Sequence, residues 1–262
     1  MNIFFRLYII CLVFSSCEIK LKEEVEQNKI KASTKKERTS TVSLNPEITK
    51  SFLLGMFDYK KDPRFILVDS KYNIYKNNYL QVKTYNAFVK MAEAAKADGI
   101  NLKVVSGCIN YQEQLRKWNQ KWKYNCAKYT SKERIFIETV KDVKIPSACR
   151  NHWGTELILN ATTKSYIRTK KGLKEYRWLV ENANQFGFCN VYSEIKFKKR
   201  GGYPDNPWHW SYKPLSNYYL NQYVKSIQNS DYKKFNGSNF CSSKVFNFKK
   251  KYVEAINKDC DL

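Results

Sequence analysis

Residues 146–160 read Pro146-Ser-Ala-Cys149-Arg150-Asn151-His152-Trp153-Gly154-Thr155-Glu156-Leu157-Ile158-Leu159-Asn160, and the rest of the chain takes its meaning from this piece. Thr155 to Leu159 predicts a buried strand. Further on, Gly201-Gly202-Tyr203 predicts a turn into the aromatic run Trp208-His209-Trp210-Ser211-Tyr212, which predicts a second, central strand. Each stretch carries one of the chain's two histidines, His152 and His209.

Working outward, Tyr79 to Gly99 places Val82, Tyr85, Phe88, Val89, Ala92 and Ala95 at helical spacing, with Asp98-Gly99 as the stop. Leu102 to Ser106 follows as a short strand. Tyr111 to about Lys128 predicts a helix that buries Leu115, Trp118 and Trp122. Ser131 to Val140 predicts another, capped by Ser131. Gly172 to Phe188 is amphipathic and ends at Gly187, Leu215 to Ile227 is a further helix, and Val245 to Ile256 closes the domain as the last.

The 262 residues are 43% apolar and 15% aromatic, which describes a folded chain with one sizeable core. Lys and Arg number 47 against 24 Asp and Glu, a net charge of +23 that favours polyanionic neighbours. The basic residues are spread along the whole chain, which favours a solvated basic surface over a dedicated polyanion site, and no nucleic-acid module is visible, so a nucleic-acid partner is not expected.

Residues 1–16 carry one early charge, Arg6, then the apolar run Leu7 to Phe14 and two serines, which is the pattern of a signal peptide. Cys17 follows the small residues directly, as in a bacterial lipobox, and is expected to become the lipidated first residue. Residues 17–46 are charged and poor in aromatics, a flexible tether; the domain is expected over 47–262. Localisation then follows as a membrane-anchored lipoprotein of the cell envelope, periplasmic or surface-exposed.

The two histidine stretches resemble the motifs of the VanY-type D-alanyl-D-alanine carboxypeptidases, zinc enzymes that trim peptidoglycan stem peptides. One branch of that family reads Ser-Arg-His-His-Trp-Gly-Thr-Asp-x-Asp, matched here on His152-Trp153-Gly154-Thr155. The family's Glu-x-Trp-His is met by Asn206-Pro207-Trp208-His209. Its Ser-Gly-Tyr-Arg-Ser-Tyr-x-x-Gln is met by Ser106-Gly107-Cys108-Ile109-Asn110-Tyr111-x-x-Gln114. A scaffold run of the family is met by Trp178-Leu179-x-x-Asn182-Ala183-x-x-Phe186-Gly187-Phe188. The resemblance spans roughly residues 50 to 260. It implies an α+β fold, with a small, mostly antiparallel sheet carrying the cleft and helices packed around it.

The residues that carry the family's chemistry are mostly replaced. Its ligand His falls on Asn151, its ligand Asp on Ile158, its general base on Asn206, and the Arg that grips the substrate carboxylate on Ile109; the third ligand survives as His209. A catalytic zinc needs about three ligands drawn from imidazole, thiolate and carboxylate, plus an open position. Asparagine cannot take a proton from water at neutral pH, and isoleucine cannot reproduce a guanidinium fork. A set shifted by one residue, His152, Glu156 and His209, is disfavoured because neighbours in an extended segment point to opposite faces. Asp205 is disfavoured as a base for the same reason.

The expectation is therefore a non-catalytic envelope protein with no cofactor, binding peptidoglycan, an acidic polymer, a partner protein or another envelope or host ligand, and held to the membrane by its lipid. Its cleft would be lined by Ser106, Gln114, Asn151, His152, Ile158, Trp208 and His209. The alternative is an active zinc-dependent carboxypeptidase or peptidoglycan peptidase with other ligands. Setting aside Cys11 and Cys17, six cysteines remain (Cys108, Cys126, Cys149, Cys189, Cys241 and Cys260), enough for three bridges in fifteen connectivities. The resemblance sets Cys108 and Cys149 beside the family's cleft, which makes them a plausible pair. A thiolate zinc site is disfavoured, since no Cys-x-x-Cys spacing occurs.

Overall fold

The computed structural model describes residues 48–192, 201–232, 234–242 and 247–260. The expected signal peptide, Cys17 and tether lie outside the described residues. Among the described residues, no helix is long and apolar enough to cross a membrane.

The described chain opens with a single helical turn, α1 (Lys50–Leu53), capped by the Thr49 hydroxyl and burying Phe52 and Leu53. Two short strands, β1 (Phe65–Leu67) and β2 (Tyr79–Gln81), pair antiparallel, Phe65 opposite Gln81 and Leu67 opposite Tyr79. The helix expected from Tyr79 thus begins three residues later, as α2 (Val82–Ala97). Its apolar spacing extends back through Tyr79, but Tyr79–Gln81 is held extended by a partner strand that local periodicity cannot reveal. Val82 is accordingly exposed, and Thr84, Phe88, Met91, Ala92 and Ala95 form the buried stripe.

Strand β3 (Val104–Ser106) leads to α3 (Tyr111–Cys126), whose N-terminus carries a reciprocal capping box between Asn110 and Glu113. Ser131 caps α4 (Lys132–Asp142). A 3-10 turn at Arg150–Trp153, ended by the left-handed Gly154, feeds β4 (Glu156–Leu159). Helix α5 (Lys170–Asn182) runs into a 3-10 turn at Ala183–Phe186. Then come β5 (Phe188–Tyr192), β6 (Asn206–Tyr212) and α6 (Lys213–Ser226). Where the sequence predicts a last helix over Val245–Ile256, the described part is a π-helical turn at Lys249–Val253, and residues 243–246 lie outside the described residues.

The main sheet has the order β3-β4-β6-β5, antiparallel throughout, so the fold is α+β as expected. Register places Glu156 opposite Ser211, Leu157 opposite Trp210 and Ile158 opposite His209. Because side chains alternate along a strand, the sheet has two different faces. Leu157, Leu159, Trp208 and Trp210 join Phe88, Met91 and Ala95 of α2 and Leu179 of α5 in one apolar cluster. Glu156, Ile158, His209 and Ser211 share the opposite face, and the site is built there.

One disulfide, Cys189–Cys260, ties β5 to the far end of the described chain. Cys108, Cys126, Cys149 and Cys241 are free thiols, so one bridge stands where three were expected. The pairing of Cys108 with Cys149 is not made. The Cys108 thiol sits 3.5 Å from the His152 carbonyl, and the Cys149 thiol 3.7 Å from Asn151 Oδ1.

Candidate functional site

The centre of the polar face is Glu156, fully buried. Its Oε1 pairs with Arg150 Nε at 3.0 Å and accepts from the Ser211 hydroxyl at 2.8 Å, while Oε2 lies 2.7 Å from His209 Nε2. Burial pushes the Glu156 carboxyl up, but the Arg150 charge, the His209 hydrogen bond and further positive charge outweigh it and bring the pKa down to about 2. Glu156 is therefore an ionised acceptor.

An ionised carboxylate cannot donate, so the hydrogen between the two belongs to His209 Nε2. The lone pair of His209 then lies on Nδ1. Facing that lone pair is Lys144 Nζ, 3.1 Å away. The same amine donates to Asn151 Oδ1 at 2.7 Å and lies 5.3 Å from the centre of the Tyr192 ring and 5.9 Å from that of Tyr203. Burial, then the Lys144 charge, lowers the His209 pKa to about 4 against the opposing pull of Glu156. Burial likewise lowers the Lys144 pKa, opposed by Cys149 and Glu156.

Lys144 is placed by both of its flanks. It follows the C-terminus of α4, the Gln114 side-chain amide donates to its carbonyl, and the next backbone N–H, of Ile145, donates to the Tyr203 hydroxyl at 3.0 Å. Asn151 sits in the 3-10 turn before Gly154, and its Nδ2 donates to the Gly107 carbonyl at 3.2 Å. That bond fixes which atom of the Asn151 amide faces Lys144.

The structure brings Asn151, His209 and Ile158 to one face of the sheet, with Ser106 opposite Ile158 across the β3–β4 pair. Gln114 reaches the same region through the Lys144 backbone. His152 is not there. Residues 150–153 form a 3-10 turn and not an extended segment, and the imidazole turns away to lie 2.6 Å from the Ile109 carbonyl through Nδ1. It packs under Gly55, where an added Cβ would fall 2.4 Å from the ring. Burial lowers the His152 pKa to about 4, partly offset by the Ile109 carbonyl.

Trp208 is on the other face, packed against Tyr166 and Tyr176. Asn206 bonds its own strand, accepting from the Trp208 N–H at 3.0 Å. Ile109 is buried. Sequence reasoning missed Lys144, Arg150, Tyr192 and Tyr203. Arg150 had a signal, since the family motif carries Arg at that place, whereas Lys144 lies outside every motif.

A family model described as VanY, D-alanyl-D-alanine carboxypeptidase, matches residues 77–215, more than half of the chain. The chain belongs to the VanY family. Solved structures similar to it include VanYB in complex with D-alanine-D-alanine, at 22% identity and TM-score 0.45, covering 62% of this chain and 94% of that one. The LdcB LD-carboxypeptidase is similar at 18% identity and TM-score 0.48, covering 66% and 81%. DacB from Streptococcus pneumoniae D39 is similar at 18% identity and TM-score 0.40, covering 65% and 83%. No curated protein sequence matches.

The VanY family implies zinc, and the residues present do not fit it. The one imidazole lone pair on this face meets an amine, Asn151 offers an amide oxygen already bonded to that amine, and Ile158 offers no donor. Among the described residues, no three His, Cys, Asp or Glu side chains come together in a way that could hold a metal ion. Lys144 and Arg150 add positive charge where a divalent cation would have to sit, which opposes its entry.

Proposed function

We propose that this chain is an exported cell-envelope lipoprotein, anchored at Cys17, whose VanY domain is non-catalytic and binds peptidoglycan. The observation that carries the reading is Lys144 Nζ at 3.1 Å from His209 Nδ1 and 2.7 Å from Asn151 Oδ1. Metal-assisted hydrolysis needs an open metal position and a proton acceptor. Here the surviving ligand is engaged by an amine, and the base position holds an asparagine whose oxygen caps its own backbone. The peptidoglycan ligand is supported by the family's substrate class, and the chain's +23 charge suits an acidic envelope polymer as the competing ligand.

The test is made on purified protein lacking residues 1–16. Elemental analysis should find no zinc above background, a D-Ala-D-Ala-ended pentapeptide should release no D-alanine, and intact peptidoglycan should retain the protein in a pull-down. About one zinc per chain with chelator-sensitive release of D-alanine would instead establish the peptidase. Retention by acidic polysaccharide alone would replace the ligand. In the full chain, Cys17→Ala should move the protein from the detergent phase to the aqueous phase, and unchanged partitioning would remove the lipid anchor from the reading.

A further inference from the structure

The contacts of Lys144 form a site in their own right. Two lone pairs, Asn151 Oδ1 at 2.7 Å and His209 Nδ1 at 3.1 Å, point at one nitrogen, and the Tyr192 and Tyr203 rings stand 5.3 and 5.9 Å from it. Neutral lone pairs and aromatic rings both recognise an alkylammonium. Behind the imidazole, Glu156 accepts from Nε2 at 2.7 Å. A carboxylate–imidazole relay of this kind orients a histidine toward a metal. In this chain the relay is intact, and the cation it aims at is supplied by the protein.

The backbone is arranged to deliver that cation. Gln114 holds the Lys144 carbonyl and Tyr203 holds the Ile145 N–H, so the one peptide unit that follows the side chain is pinned at both its oxygen and its nitrogen. Asn151, in turn, is oriented by the Gly107 carbonyl. A solvated surface lysine needs none of these restraints.

We infer that the family's metal position has become a primary-ammonium site in this chain, with the Lys144 side chain as its resident ligand in place of a zinc ion. The inference deepens the non-catalytic reading, on which it rests for the absence of metal. It names the chemical class that fits the position, which Lys144 itself fills: a primary alkylammonium, with at least two N–H donors and a short apolar stem.

The test empties the site and refills it. Lys144 as a whole is only half-buried, so Lys144→Ala should leave a channel from solvent to Asn151 and His209. The variant should melt below wild type. Ethylammonium or n-propylammonium should raise its Tm in a saturable way, as a ligand that binds only the folded state does. Ethanol, n-propanol and tetramethylammonium, which lack either the charge or the N–H donors, should not. Wild type should not respond, because its site is filled, and neither should Lys144→Ala combined with Asn151→Leu. Equal stabilisation of wild type and variant by the amines, or no selectivity over the alcohols, would overturn the inference.

Should Lys144→Ala fail to fold, the imidazole ¹⁵N spectrum of wild type decides. His209 should carry its proton on Nε2 with Nδ1 bare, and the opposite tautomer would overturn the inference. The two readings fail separately. Zinc and turnover in wild type would remove the non-catalytic reading, whereas a metal-free, inactive wild type with no selective amine response in the variant would remove the ammonium site alone.

Discussion

Arg150 and Glu156, six residues apart across the Gly154 turn, form an ion pair with no exposed side-chain surface on either partner and 3.0 Å between Nε and Oε1. Removing one member of such a pair leaves a bare buried charge, which costs about 3–5 kcal/mol. Arg150→Met should therefore lower the urea-derived unfolding free energy by that order. Adding Glu156→Gln to it should recover part of the loss, because the stranded charge is gone. A double variant as unstable as the sum of the two singles would show that the two residues are not energetically coupled.

Restoring the family's donors should not by itself restore the metal. Asn151→His, Ile158→Asp and Asn206→Glu supply two ligands and a base around His209, but Lys144 Nζ still faces His209 Nδ1. Zinc affinity should rise by orders of magnitude only when Lys144→Ala is added, since ligand count and an available lone pair set binding. Isothermal titration of the triple and quadruple variants checks this. Equal, tight zinc binding by both would mean that Lys144 does not guard the site.

Acid should weaken the fold before ordinary carboxylates titrate. His152 and His209 are both held near a pKa of about 4, below the ordinary 6.5. With the folded value below the unfolded one, the unfolded chain takes the proton first. Stability is then complete above about pH 6.5 and is lost as the pH falls toward 4. At pH 5 the loss should be about 2 kcal/mol for each histidine. Urea unfolding at pH 7 and pH 5 measures it, and identical midpoints would contradict the buried, neutral state of both rings.

The Cys189–Cys260 bridge closes a 71-residue separation, and a loop of that size corresponds to about 4 kcal/mol of chain entropy removed from the unfolded state. Unreduced protein spanning residues 48–262 should be about two hydrogens lighter than the reduced form, with four alkylatable thiols after denaturation. Cys126 is the exposed one of the four and should react first in the native state. A mass difference of about six hydrogens would restore the three-bridge framework.

The local pattern of the chain carried much of the architecture. Ser131 caps α4 and Asn110 with Glu113 caps α3 because capping is settled within four residues. The positive φ of Gly99 ends the region of α2 for the same local reason. The strands of Glu156 and His209 were legible from apolar and aromatic runs, whereas the expectation that Asn151, Ile158, Asn206 and Ile109 stand at the family's chemical positions came from motif alignment alone.

What the sequence by itself determined is thus the fold class and most helices, since each depends on residue type at short range. Tertiary structure alone decided the rest. Tyr79–Gln81 became a strand because Phe65–Leu67 lies beside it. His152 left the cleft because a 3-10 turn rotates it under Gly55, and Trp208 left because strand alternation assigns it to the opposite face. Lys144 reached His209 across 65 positions of sequence. Only the packing of α3, the chain after α4 and the sheet brings an amine from outside every motif to the one lone pair that the motifs preserved, and no short-range rule of propensity or spacing contains that distance.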